Sequence, residues 1–242
     1  MAQVPGATRH QANRILAALE PADFAYLEPH LEIVDLPRGK VIYDVGETIQ
    51  HTFFPHDAMV SLVTLMEDGT SAEMAVFGRE GLFGLVSAVV SRQAFGRYVG
   101  QVPGTASRIN RDRMQEAMAS RPGIQQLVLR FTEALMAQIL QSVACNAAHT
   151  VEARCCRWIL STHDRVDQDD LPLTHEFLSE MLGVQRSTVS TIVHTLQEAG
   201  LISQRRGLIS IASRAGLEER TCECYAIIRR KYAQVLPLTY QR

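Results

Sequence analysis

The sequence predicts an α+β fold: an N-terminal antiparallel β-barrel of the jelly-roll kind, one long helix, and a C-terminal pair of short helices closed by a hairpin. Three observations predict it. From Leu31 to Ile109, short runs rich in Val, Ile, Phe and Leu alternate with turn signals such as Pro37-Arg38-Gly39, Val45-Gly46-Glu47 and Pro103-Gly104, as in strand-rich sandwiches and barrels. From Ile124 to Thr150 there is no Pro or Gly, and apolar residues recur at three- and four-residue steps, the period of a helix. From Leu173 to Ile202, LTHEFLSEMLGVQRSTVSTIVHTLQEAGLI holds two short helical runs broken by Gly183.

Before about Ala22 the chain is polar with scattered apolar positions, which predicts one short helix (HQANRILAAL) and a turn at Glu20-Pro21. Within the strand-rich region, Asp68-Gly69 between two apolar runs predicts a hairpin. On the long helix, Ile124, Val128, Phe131, Leu135, Ile139 and Val143 form a stripe, which Leu127, Leu129, Met136 and Leu140 widen beyond one face, and Ile124, Val128, Phe131, Leu135, Ile139 and Ser142 are the expected dimer contact. A helix apolar over more than half its girth buries two sides. A second subunit is the simplest supplier of the other surface, the alternative being burial within one larger domain. VEARCCRWILSTHDRV reads as a further helix with Val151, Cys155, Trp158 and Ile159 inward, followed by a polar acidic loop.

Thr174 is placed to cap the first short helix, which packs through Phe177, Leu178, Met181 and Leu182. Gly183 supplies the turn. The second helix, from about Arg186, buries Val189, Ile192, Val193 and Leu196 and ends at Gly200. Its other side offers Arg186, Ser187, Ser190 and Thr191, short or flexible groups of the kind a DNA major groove admits. LISQRRGLISIA then reads as a tight hairpin with Arg205 and Arg206 at its tip, suited to phosphates. A winged helix-turn-helix is therefore expected, with Thr174, Gln185, Arg186, Ser187, Thr188, Ser190, Thr191, Arg205 and Arg206 as its DNA-facing set. Between Val184 and Arg214 the positive side chains are Arg186, Arg205, Arg206 and Arg214, against the single carboxylate Glu198. The field is local, because the 242-residue chain as a whole carries a net charge of -2.

The expected organisation is a helical leader (1–22), the barrel as sensor domain (23–110), the long helix (111–150), the winged domain (151–213) and a last helix (214–242). Hydrophobic residues make up 46% and charged residues 21%, an ordinary globular composition. No membrane span and no secretory leader are expected, so the cytoplasm is the default location. The five cysteines, Cys145, Cys155, Cys156, Cys222 and Cys224, do not suggest a disulfide framework. Cys222 and Cys224 fall two apart on an expected helix and should point to different faces, and no pair has the two-residue gap of a metal knuckle. They read as buried structural thiols. No metal site and no cofactor are expected.

The order of barrel, long helix and winged helix-turn-helix resembles the Crp/Fnr superfamily of bacterial transcription regulators. The likeness runs from about Leu31 to Ile211 and is strongest over the helix pair; FFPHDAMVSL, FGREGLFG, GQVPG, ACNAAHTVEARCCRWIL and CECYAIIRRKY resemble one of its subfamilies. The resemblance implies a homodimer on a near-palindromic operator in double-stranded DNA, with RNA polymerase and a small effector as candidate further partners. It implies that Arg186 contacts guanine, with Ser187 and Thr191 at two further base-reading positions. Gln185 stands where a serine cap is usual. In members that bind cyclic nucleotides, a glutamate after a glycine holds the ribose and an arginine pairs with the phosphate. Here the glycine is Gly84, but Leu85 and Phe95 occupy the two charged positions, and Ile139 and Leu140 take the adenine-facing ones. An effector pocket is expected around Phe83, Gly84, Leu85, Phe95, Arg97, Leu135 and Ile139, with cyclic AMP disfavoured, because a buried phosphate without a cation costs several kcal/mol or more.

Two other classes compete. A cupin-like metal enzyme needs several histidines and a carboxylate inside the barrel, and FFPHDAMVSL offers only His56 and Asp57, so no enzyme is expected. A ligand-binding module whose helix pair docks protein would have no use for an arginine-tipped wing.

Overall fold

The computed structural model describes residues 8–67, 71–86, 90–166 and 168–236. The leader is not one helix. A 3-10 turn (Arg9–Ala12) is followed by a single turn of α-helix, α1 (Arg14–Ala17). Asn13 breaks the run by accepting from the amides of Ile15 and Leu16, while its own amide donates to the carbonyls of Pro55 and Gly81 at 2.8 and 2.9 Å. The break thus clasps the leader to the sheets. Glu20-Pro21 starts a helix instead of making a turn, α2 (Pro21–Leu27), because proline's fixed φ and missing N–H suit a first helical position.

The strands that follow are β1 (Glu32–Leu36), β2 (Val41–Tyr43), β3 (His51–Pro55), β4 (Met59–Leu65), β5 (Ser71–Phe77), β6 (Arg97–Val102) and β7 (Gly104–Asn110). They form two antiparallel sheets, β1-β7-β3 and β2-β6-β4-β5, so the expected jelly-roll is present as a sandwich whose sheets do not close into a barrel. The chain changes sheet at Pro103, which has no N–H to carry a ladder across the corner. The Asp68-Gly69 tip lies outside the described residues; β4 and β5 on either side of it pair from Val60↔Phe77 to Leu65↔Ser71. Between the sheets, Phe53 stacks on Phe83 at 4.8 Å and Phe83 on Tyr98 at 5.5 Å. Phe53 belongs to one sheet and Tyr98 to the other, so Phe83 bridges them, beside the direct edge contact of Tyr43 on Phe53 at 6.2 Å.

β7 runs into α3 (Arg111–Ser120), capped by the Asn110 side chain. The chain breaks at Arg121, and Pro122 opens α4 (Pro122–Ala148), so the stretch read as one helix from 111 holds two. At 27 residues α4 is about 40 Å long. By length and hydropathy it could cross a membrane, but its Ile124–Val128–Phe131–Leu135 face is buried against the sandwich. The ring of Phe131 would lie 2.5 Å from a Cβ added to Gly81, so a side chain there would push the helix away.

The winged domain follows: α5 (Val151–His163), a short strand β8 (Asp170–Leu171), α6 (His175–Leu182), α7 (Arg186–Glu198), β9 (Ile202–Arg205) and β10 (Leu208–Ile211). Part of the expected acidic loop is a strand, because β8 completes a three-stranded sheet in the order β8-β10-β9. The domain is docked on the sandwich. Met59, Val63, Val76 and Val102 share a core with Trp158, Phe177 and Met181, and Arg165 meets Glu80 at 2.8 Å with both side chains buried. Glu73 accepts from Trp158 Nε1 at 3.0 Å and from Ser61 at 2.6 Å.

The last segment is two helices where one was expected, α8 (Arg214–Arg220) and α9 (Cys224–Val235). α9 lies along α4, where Ile228 and Tyr232 join the core shared with the sandwich.

Candidate nucleic-acid interface

α6 and α7 are set by local chemistry. Thr174 accepts from the Phe177 amide at 3.2 Å, a cap worth about 1 kcal/mol. Gly183 ends α6 with φ 63° and ψ 43°, the left-handed region that glycine enters without penalty. Gln185 makes no side-chain cap for α7, in keeping with its weak capping tendency. Val189, Ile192, Val193 and Leu196 turn inward, leaving Gln185, Arg186, Ser187, Thr188 and Thr191 exposed along one side.

The hydroxyls are not equivalent. Thr191 donates to the Ser187 carbonyl at 3.2 Å, and Ser190 to that of Arg186 at 3.0 Å, so each keeps only acceptor capacity for a ligand. Ser190 is half-buried and is also held by His175 Nδ1 at 2.9 Å, while His175 Nε2 takes the side-chain amide of Gln204 at 2.7 Å. With Gln204 donating, Nδ1 carries the imidazole proton and gives it to Ser190. Ser190, expected to face DNA, is therefore an internal link joining α6, α7 and the wing. His175 was missed as a functional residue because its two partners lie far along the chain. Ser187 makes no side-chain hydrogen bond among the described residues and offers both donor and acceptor.

Arg186 lies 3.6 Å from Glu176, with both side chains about 70% exposed. Arg205 ends β9 and Arg206 occupies the turn, both exposed. Arg214, counted above with the positive face, points inward: it donates to Asp164 at 2.8 Å and reaches His163 Nδ1 at 2.7 Å. The reading face is thus arginine-led at Arg186 and arginine-tipped at the wing, without Arg214.

A cavity of about 190 Å³ lies between the sandwich and α4, lined by Phe83, Gly84, Phe95, Leu135 and Ile139 together with Tyr98 and Met136. Two residues expected there do not line it. Leu85 turns into a separate groove beside Val128 and Leu129, and Arg97 is engaged with Asp44 at 2.8 Å. On α4, the residues expected at the dimer contact are spent within the chain, and of the predicted stripe Val143 alone stays largely exposed. Ile124, Val128, Phe131 and Leu135 are buried, and Ile139 and Ser142 are half-buried. Leu129, Met136, Leu140 and Val143, each more than half exposed, form the open stripe instead. Both stripes are apolar, so periodicity could not assign them.

The Crp-like helix-turn-helix domain family matches residues 153–220, and the cyclic nucleotide-binding domain family matches residues 33–121. The chain belongs to the Crp/Fnr superfamily of DNA-binding transcription regulators. A global nitrogen regulator of Synechococcus elongatus is 22% identical over 200 residues, covering 78% of this chain and 90% of its own. A CRP-like cAMP-activated global transcriptional regulator of Mycobacterium tuberculosis is 22% identical over 195 residues, covering 78% and 87%. The structure of FixK2 from Bradyrhizobium japonicum superposes with a TM-score of 0.68 at 15% identity, over 79% of this chain and 98% of that one.

Within this Crp/Fnr chain the cavity lies against the domain that matches the cyclic nucleotide-binding family, yet among the described residues no charged side chain lines it. The polar groups weighed for a cupin-like site are used structurally. His56 is buried between hydroxyls of Thr105 and Ser107, and Asp57 accepts from the Thr105 amide at 2.7 Å. Burial holds His56 down at about 4, so it is neutral at neutral pH. The cysteines depart from expectation. Cys222 lies outside α9, in the break after α8, so it and Cys224 are not on one helix. All five are buried free thiols, and burial pushes Cys156 up to about 12.

Proposed function

We propose that this Crp/Fnr chain works as a homodimer in the cytoplasm, reading a near-palindromic operator through α7 and the wing, and that its effector is a small apolar molecule. The observation that carries the DNA reading is the exposed row of Arg186, Ser187 and Thr191 beside the exposed Arg205 and Arg206 of the wing. Arg186 and the wing divide the labour: a guanidinium fork reads guanine, whereas wing arginines on phosphate act on every sequence alike. RNA polymerase is the expected further partner, and a regulatory function is favoured over a catalytic one.

Pairing through Leu129, Met136, Leu140 and Val143 would bring two α4 helices side by side and set two α7 helices about one DNA turn (~34 Å) apart. Met136 lines the cavity and also belongs to the open stripe. A ligand pressing on it therefore alters the dimer surface directly, which is the differential contact an effector needs. The cavity's size favours a compact apolar guest, since about 150 Å³ of apolar space holds a benzene-sized molecule. A cyclic phosphate would find no cation there, with Arg97 committed to Asp44.

The test is selection of genomic fragments by the full-length protein, followed by footprinting. Two protected half-sites one helical turn apart, lost with Arg186→Ala and weakened uniformly by Arg205→Ala, are expected. Uniform protection of any fragment at equal affinity would overturn sequence reading, and a strictly monomeric protein on DNA would overturn the pairing.

A further inference from the structure

Four side chains outside the reading face meet where α4 ends. Cys145 sits in the last turn of α4, His149 is its C-terminal cap, Cys222 lies in the break after α8, and Cys224 is the first residue of α9. Their ligand atoms all lie within 4.8 Å of one another. Cys145 Sγ is 3.4 Å from Cys222 Sγ, and Cys224 Sγ is 3.6 Å from His149 Nδ1.

These separations match the edges of a metal tetrahedron. With zinc–sulfur bonds of about 2.3 Å and zinc–nitrogen bonds of about 2.0 Å, tetrahedral geometry sets sulfur–sulfur edges near roughly 3.8 Å and sulfur–nitrogen edges near roughly 3.5 Å. An iron–sulfur cluster inserts several irons and sulfides between its thiolates and needs a wider cage. A disulfide between Cys145 and Cys222 would leave Cys224 and His149 unexplained.

The surroundings are those of a ligand shell. His149 Nε2 lies 3.2 Å from the Glu223 carboxylate, and a carboxylate on the far nitrogen is what orients a metal-bound imidazole. Gln141 donates to Cys224 Sγ at 3.1 Å. The three cysteines are buried, and His149 keeps 24% of its side chain exposed, which leaves a way in for an ion. Simple core packing does not explain why thiols and an imidazole from segments more than 70 residues apart turn their polar ends toward one point.

We propose that Cys145, His149, Cys222 and Cys224 bind one zinc ion in a closed tetrahedral site that ties the C-terminal helices to the end of α4. Soft thiolates with one imidazole select zinc over magnesium or calcium. Four protein ligands leave no open position, so the ion is structural. Its position gives it a consequence: α4 passes through His149 and Thr150 directly into α5 of the winged domain, so the ion holds the joint between the long helix and the DNA-reading unit.

The test uses the full-length protein, purified without chelator, with metal counted by mass spectrometry. The wild type is then stripped under reducing conditions and titrated with Co2+. About one zinc per chain is expected, and a Co2+ spectrum with thiolate charge-transfer and tetrahedral bands that Zn2+ abolishes. Cys155→Ser should keep the ion, Cys145→Ser and Cys224→Ser should lose it, and Glu223→Gln should weaken Co2+ binding roughly 10–100-fold. Wild-type protein with negligible zinc and a featureless or octahedral Co2+ spectrum would overturn the site, as would iron with acid-labile sulfide. The wild-type titration needs no variant, so a misfolded mutant does not decide the matter.

Discussion

Arg186 on α7 and Glu176 on α6 face each other at 3.6 Å across the two helices of the reading pair. Both are largely exposed, and an exposed pair of this kind is worth about 0.2–1 kcal/mol. A guanidinium fork on guanine discriminates by about 1–3 kcal/mol, so on the proposed reading DNA would outcompete Glu176 for Arg186. On the proposed reading the carboxylate would also repel the phosphates of an approaching duplex. Glu176→Gln should therefore tighten DNA binding roughly two- to fivefold, measured by fluorescence anisotropy on a selected fragment. Weaker binding would show that Glu176 presents Arg186 to the base.

The open stripe on α4 makes a prediction about assembly. Leu140 is 62% exposed and Val143 64%, whereas Val128 and Phe131 on the opposite side are spent in the chain's own core. Leu140→Glu places a charge in the proposed dimer seam while leaving that core intact. Sedimentation should show monomers with an unchanged thermal transition for the fold and DNA affinity reduced at least tenfold. Phe131→Ala, by contrast, should cost about 3–5 kcal/mol of stability. A dimer that survives Leu140→Glu would place the seam elsewhere.

Much of this was legible where chemistry is local. The α6–α7 pair follows from Thr174, Gly183 and the spacing of Val189, Ile192, Val193 and Leu196, each acting within a turn or two of helix. What depended on distant partners was not. Ser190 and Thr191 look alike in sequence, yet only Ser190 is drawn inward, by His175. Arg214 follows the wing and reads as one more positive charge, until Asp164, 50 residues earlier, claims it. The Cys/His cluster was hidden for the same reason. Its two halves are remote, and the short break before α9, which frees Cys222 from helical geometry, carries no Pro or Gly to announce it.

His175 offers a test of how the wing is held. Its imidazole bridges the Ser190 hydroxyl and the Gln204 amide, at 2.9 and 2.7 Å. His175→Phe fills similar space but leaves Ser190 and the exposed Gln204 without that partner, at a cost of about 0.5–1.5 kcal/mol. DNA affinity should fall across all sequences alike, because the wing and not Arg186 is released. A change of preferred base with unaltered overall affinity would instead make His175 a reading residue.

The buried His56 gives the sandwich a pH dependence with a definite sign. Its ring lies between Ser107 Oγ at 2.7 Å and Thr105 Oγ1 at 3.1 Å, and Ser107 also holds His10 Nδ1 at 2.7 Å. Burial, the largest influence, lowers His56 from 6.5 to about 4, and His10 is lowered by burial too. In the unfolded chain His56 takes up a proton as pH falls through about 6.5, but in the folded chain it resists until about 4. The unfolded state therefore binds more protons in that window, and the stability present above pH 6.5 is lost as pH falls through it. His56→Gln keeps a donor and an acceptor between the two hydroxyls but cannot charge. Between pH 7.5 and pH 5 the wild type should lose about 1–2 kcal/mol more than this variant, read as a steeper fall in thermal midpoint. Parallel pH profiles for the two proteins would mean that His56 takes up its proton at the same pH in the fold as in the unfolded chain, so that burial does not lower it.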